Sequence, residues 1–287
     1  MRPIPHGRAA LLLFDQRAAV PKPRVYKTQA IVLRQRKLGE ADKIVTLYTS
    51  HGGRIDAVAK GVRRTKSRLA GHLEPLTLGS YLLAEGRDLD IVTQAETVDA
   101  YAGLRGDLER LSRGLYCAEL VDRLTPERSE GNPIFRLLQE TLGHLSTSPG
   151  YDLAVRRFEL RLMDLLGYRP ALSACAVCYT PLQPLANYWS VSGGGAICPN
   201  CADDSLRLAP LSLNALKMLR LIERASFEEA ARVRLSGELA LELQTCLGDY
   251  VRYVMERDVR SAHFVETLRN LPKVVAPATL PAEVEVE

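Results

Sequence analysis

Three changes of pattern along the chain predict an α+β, multidomain fold: an N-terminal β-barrel, then an α-helical bundle with a four-cysteine insertion. Short runs rich in Val, Ile, Leu and Thr, separated by turn residues, fill residues 24–100. From residue 101 the apolar side chains recur at helical spacing. Inside that helical part stand two C-x-x-C pairs, Cys175/Cys178 and Cys198/Cys201.

The bounds are set by 287 residues, 46% of them apolar, with a formal charge of +4. That is enough chain for one large or two modest cores. The mild charge means that any basic surface must come from local clustering. No apolar run approaches the roughly 20 residues that span a bilayer. Residues 1–23, with a short Ala-Ala-Leu-Leu-Leu-Phe centre and a Pro21/Pro23 end, fit a poorly ordered extension and not a secretory signal. With no targeting signal, the expected location is the cytoplasm. The expected domains are 24–100 for the barrel and 101–271 for the helices, with the cysteine insertion at 172–206. Residues 272–287, with prolines and alternating glutamates, read as a disordered acidic tail.

Five strands are expected at Thr28–Gln35, Lys43–Thr49, Arg54–Lys60, Leu76–Ala84 and Leu89–Val98. His51-Gly52-Gly53-Arg54 and Glu85-Gly86-Arg87-Asp88 are tight connections. In the third run Ile55, Ala57 and Ala59 share one face, and Arg54, Asp56, Val58 and Lys60 the other. Five short strands suit a small closed barrel without exposed edges. The five-stranded OB-fold fits best, with an SH3-like barrel as the alternative.

The helical stripes follow. Leu104, Leu108, Leu111, Leu115 and Ala118 form one, ended by Pro126. Asn132-Pro133 starts the next, as cap and first helical position. Leu153–Leu166 is a third, stopped by Gly167. Ser212–Arg224 and Gly237–Arg257 complete the set, the last with Leu239, Leu243, Cys246, Leu247, Tyr250 and Val254 on one face.

The spacing C-x2-C-x19-C-x2-C lies in the range for structural zinc. Each C-x-x-C turn presents two thiolates to one point, and four complete a tetrahedron with no place for water. Pro181, Pro184, Trp189 and Gly193-Gly194-Gly195 between the pairs suit a zinc ribbon with a glycine turn. The expected cofactor is one structural Zn2+ per chain, held by Cys175, Cys178, Cys198 and Cys201. An iron–sulfur cluster is the alternative that four cysteines leave open. Cys117 and Cys246 lie on or beside apolar helix faces and read as core.

Signatures of catalysis are missing. There is no G-x-x-x-x-G-K-[ST] loop for a nucleotide cofactor, no H-E-x-x-H and no G-x-S-x-G. The expectation is a protein that is not an enzyme. Against this, Lys60-Gly61-Val62-Arg63-Arg64-Thr65-Lys66-Ser67-Arg68 carries five cations and no acid. Such a run alone is often a solvated loop. Here Arg34, Arg36, Lys37 and Lys43 bracket the preceding turn, and Arg54 and Lys60 flank the third strand. Residues 24–68 hold twelve Lys/Arg against three Asp/Glu, a footprint for a phosphate backbone. Tyr26, Tyr48 and Tyr81 are the only aromatics in 24–100, so stacking on bases has few places to act. The candidate DNA contacts are Arg34, Arg36, Lys37, Lys43, Arg54, Lys60, Arg63, Arg64, Lys66 and Arg68, with weak sequence preference and steep salt dependence.

The stretches Ala30-Ile31-Val32-Leu33, Gly39-Glu40-Ala41-Asp42-Lys43, Gly52-Gly53-Arg54, Lys60-Gly61-Val62-Arg63-Arg64 and Ser67–Pro75, with the late Asp258-Val259-Arg260-Ser261, resemble the bacterial DNA repair family RecO. The order barrel, helices and cysteine insertion is similar to that family over residues 25–268. The resemblance implies a recombination mediator of the nucleoid. It would bind ssDNA and dsDNA, anneal complementary strands, and with RecR help load RecA on DNA coated by SSB, contacting the SSB C-terminal tail. It implies Lys43, Lys60, Arg63, Arg64, Lys66 and Arg68 as DNA contacts. Residues 1–23 depart from the family pattern. Two other classes stay open: a zinc-containing DNA-processing enzyme, nuclease or ligase-like, and an interaction scaffold whose basic loop is merely soluble.

Overall fold

The computed structural model describes residues 24–129, 132–148 and 151–270, without the side chains of 257–270. The expected extension and acidic tail lie outside the described residues, as do the side chains of the Asp258–Ser261 motif.

Strands β1 (Val25–Leu38), β2 (Asp42–Thr49), β3 (Gly53–Ala59), β4 (Leu78–Ala84) and β5 (Asp90–Asp99) pair as a closed barrel in the order β1-β2-β3-β5-β4. Antiparallel β1–β4 and parallel β3–β5 pairing close the ring. This is the OB order. The alternation read in the third strand holds: Ile55, Ala57 and Ala59 are buried with Val32, Val45, Leu47, Tyr81, Leu83 and Val92 inside the barrel. The fourth strand starts two residues later than expected. Leu76 takes a left-handed φ of 67°, which interrupts extended chain, and Val32 bonds the backbone on both sides of that kink.

The helices are α1 (Ala102–Arg105), α2 (Leu108–Leu124), α3 (Asn132–Thr147), α4 (Tyr151–Leu165), α5 (Leu213–Arg224), α6 (Phe227–Ala231) and α7 (Gly237–Asn270). The first expected stripe is broken. Asp107 adopts an extended backbone and its carboxylate accepts from Glu109 N and Arg110 N, so it caps a new helix. The break turns Leu108 outward, leaving it 81% exposed. Asn132 lies within α3 as its first residue instead of standing before it as a cap. Helix α7 continues to Asn270, beyond the expected Arg257.

The barrel and the helices share a core. Ile31, Leu33, Tyr48, Leu76 and Leu78, on the outer face of the barrel, are buried with residues of α1 to α4. A bulge between Val32 and Arg34 adds a residue to β1, so Leu33 stays in this core while Arg34 reaches α2. Each such buried side chain contributes about 1.5–3 kcal/mol.

The cysteine segment forms a small sheet, β7-β6-β8, from β6 (Asn187–Ser190), β7 (Gly195–Ile197) and β8 (Ala209–Leu211). It outruns the expected 172–206 because β8 pairs with β6. The glycine turn is required: Gly195 has φ 138°, and a Cβ there would lie 2.5 Å from the backbone N and O of Ala171.

Candidate nucleic-acid interface and metal centre

The Lys60–Arg68 loop is fastened to the β1–β2 turn. Gly61 has φ 64° and turns the chain sharply after β3. Gly61 N donates to Asp42 Oδ1 at 2.7 Å, Arg63 N to the Ala41 carbonyl at 2.9 Å, and Arg63 Nη1 to the Gly39 carbonyl at 3.1 Å. Between them Val62 is buried in the barrel core, so the loop plugs that end of the barrel. Asp42 thus has a specific role: its carboxylate holds the loop backbone.

These bonds bring most of the predicted cations together. Lys37 pairs with Lys43 across β1–β2, and Lys43 pairs with Ala59, the residue before Lys60. Lys43 Nζ donates to Gln35. Arg36 is exposed and 3.8 Å from Asp56. The side chains of Lys37, Lys60, Arg64, Lys66 and Arg68 are exposed and make no hydrogen bond or ion pair among the described residues. Free cations in a row can accept a polyanion without first breaking a bond.

Arg34 and Arg54 are placed differently. Both reach Asp122 on α2: Arg34 Nε lies 2.5 Å from Oδ2, and Arg54 Nη1 3.2 Å from Oδ1 and 2.9 Å from the Asp122 carbonyl. Arg54 Nη2 also meets Glu127 at 3.2 Å. Arg54 therefore joins barrel to bundle. Asp122 escaped sequence reasoning because nothing in its helix position marks a long-range partner. Asp90 escaped too: wholly buried, it accepts from Arg128 Nη2 at 2.9 Å, from Tyr26 OH and from Gly86 N.

Two of the three tyrosines of the barrel offer no stacking face, and the third is half-buried. Tyr48 and Tyr81 are buried, and Tyr26 is tied to Asp90. The chemistry on offer is charge, not base contact.

The four cysteine sulfurs lie within 4.8 Å of one another. Cys178 Sγ and Cys198 Sγ are 3.8 Å apart. A tetrahedron with metal–sulfur bonds of about 2.3 Å has edges of about 3.8 Å, so the cluster fits such an ion. The thiols oppose one another without one. The Thr180 hydroxyl and amide push the Cys178 thiol down to about 6, while hydrogen bonding with Cys178 and Cys198 pushes Cys201 up to about 12. A cation lets all four ionise. Cys198 N also donates to Cys175 Sγ at 3.4 Å, supporting a thiolate.

The cluster is braced to the bundle through β6. Trp189 is buried, its Nε1 donates to the Cys246 carbonyl at 3.1 Å, and its ring lies 5.7 Å from that of Tyr250 on α7. Cys117 and Cys246 are buried and inert, their thiols pushed up by burial. Among the described residues no helix is long and apolar enough to cross a membrane.

An OB barrel with a cationic end, joined to a helical bundle that carries a four-cysteine cluster, defines a nucleic-acid-binding protein. Residues 24–101 match the family model "Recombination protein O N terminal", and residues 105–263 match "Recombination protein O C terminal". The chain is 42% identical over 259 residues to DNA repair protein RecO of Roseiflexus sp. (strain RS-1), covering 90% of this chain and 91% of that protein. It is 36% identical over 248 residues to DNA repair protein RecO of Dehalococcoides mccartyi (strain CBDB1), covering 86% and 98%. It is 38% identical over 250 residues to that of Symbiobacterium thermophilum, covering 86% and 98%. The chain belongs to the RecO family of DNA repair proteins.

Proposed function

We propose that this protein is a recombination mediator of the bacterial nucleoid, working in the cytoplasm without bond-making or bond-breaking chemistry. It binds ssDNA and dsDNA through phosphates and anneals complementary strands. With RecR it helps load RecA onto SSB-coated DNA. The observation that carries this is the fastening of the Lys60–Arg68 loop to the β1–β2 turn, which sets its exposed cations beside Lys37 and Lys43. Bound cations lower the repulsion between two strands and leave base edges free to pair.

The four cysteines hold one zinc ion. Zinc would supply a rigid crosslink there, since four thiolates leave no position for water. The seat proposed for the SSB C-terminal tail is the cleft between α2, α4 and α7 on the helical part. That cleft offers Arg113, Arg156 and Arg252 beside apolar Tyr116, Val155 and Met255.

The test is annealing of complementary SSB-coated strands by the wild type and by Arg64→Ala/Lys66→Ala/Arg68→Ala. The wild type anneals and the variant is slowed at least roughly tenfold. Equal rates overturn the proposal, and strand cleavage by metal-loaded protein would favour an enzyme instead.

A further inference from the structure

A second cationic recess opens at the barrel end opposite the Lys60–Arg68 loop. It is a cavity of about 490 Å³ whose rim includes Arg24, Lys27, Thr28, His51, Glu85 and Arg128. The two ends are the two ends of β2, since Lys43 pairs with Lys37 at one and Thr49 with Ala30 at the other. At about 3.4 Å per residue they stand about 20 Å apart.

Arg24, Lys27 and Arg128 are exposed and face a single rim carboxylate among the described residues, Glu85. Arg128 is held in place from three sides. Its backbone is left-handed at φ 51°, its N donates to the Arg54 carbonyl at 2.9 Å, and its Nη2 donates to the buried Asp90 at 2.9 Å. A long side chain in that backbone region is strained and persists only where its surroundings demand it. The guanidinium is nonetheless half exposed, with donors left over.

We propose that this recess is a second phosphodiester site, taking the backbone of a second DNA strand while the Lys60–Arg68 face holds the first. It rests on the annealing role proposed above. The separation favours it. Charges about 20 Å apart lie beyond the Debye length of about 8 Å at physiological salt, so a strand on one end does not repel a strand from the other. A single cationic groove filled by one strand would instead present the next strand with a net anion.

The experiment saturates the full chain with one labelled oligonucleotide and adds a second, non-complementary one with a different label. Energy transfer between labels then reports two strands on one molecule. The wild type gives transfer. Arg24→Ala/Lys27→Ala keeps first-strand affinity within about twofold, loses the transfer, and anneals roughly tenfold more slowly. Lys27→Glu alone, at an exposed side chain, gives the same loss if the double variant melts early. Transfer unchanged in the variants, absent in the wild type, or lost together with first-strand affinity overturns the second site. A wild type that binds no strand at all sinks the DNA-binding proposal as well, which separates the two failures.

Discussion

Arg128 Nη2 donates to Asp90 Oδ1 at 2.9 Å, joining a half-exposed guanidinium to a wholly buried carboxylate. The chain leaving α2 thereby runs beside β3, with Glu127 bridged to Arg54 and Arg128 N bonded to the Arg54 carbonyl. Removing Arg128 strands a buried charge that keeps, among the described residues, only Tyr26 and Gly86 as donors. Arg128→Ala should lower stability by about 2 kcal/mol, below the full cost of a broken buried pair because the guanidinium faces water. Urea unfolding measures it, and a change near zero would mean that Asp90 is held well enough without Arg128.

Arg54 and Arg64 should behave in opposite ways. Arg54 is engaged with Asp122 and Glu127, whereas Arg64 is exposed and bonded to neither protein acid nor carbonyl through its side chain. Arg54→Ala should destabilise the fold by about 1–3 kcal/mol and leave the salt dependence of DNA binding nearly unchanged. Arg64→Ala should do the reverse. Matching losses of DNA affinity from both would place Arg54 in the interface.

Trp189 is the one tryptophan in the chain and it belongs to the cysteine segment. Its fluorescence therefore reports metal removal without labels. A chelator should red-shift the emission as Trp189 leaves the Cys246 carbonyl, and Cys178→Ser should lower bound zinc from one per chain. DNA binding by the barrel should persist through both. Unchanged emission after verified metal loss would show that the sheet stands without its ion.

Glu159 gives a pH signature. It is buried, and burial raises its pKa to about 7, against smaller opposing effects of Arg156 and of the Tyr116 hydroxyl. A raised folded pKa means that the native state holds the proton more tightly than the unfolded chain. That stability is present below the ordinary glutamate value of about 4.3 and is lost as pH climbs through about 7, a swing of about 3–4 kcal/mol. Glu159→Gln should remove this slope. Urea midpoints between pH 5 and pH 8 compare the two, and parallel profiles would contradict the assignment.

What could be read from the sequence was what period and spacing carry. The third strand's alternation placed Ile55, Ala57 and Ala59 inside, and the C-x-x-C pairs located the cysteine cluster. The basic run was legible as composition. Its fastening through Asp42 and Gly39 was not, because those bonds depend on how the β1–β2 turn packs. Asp122, Asp90 and Arg128 were invisible for the same reason: each acts through a partner more than 35 residues away. The outward turn of Leu108 depended on Asp107 capping a new helix, a local competition that periodicity does not weigh.

In the function proposed above, the exposed cations of the Lys60–Arg68 loop bind DNA phosphate. The most direct measurement is the salt dependence of ssDNA affinity for the wild type and Arg64→Ala/Lys66→Ala/Arg68→Ala. Losing three phosphate contacts should make the slope of log K against log salt shallower by about 2, at about 0.7 per contact. An unchanged slope, with affinity intact at physiological salt, would mean that the loop is only a solvated surface.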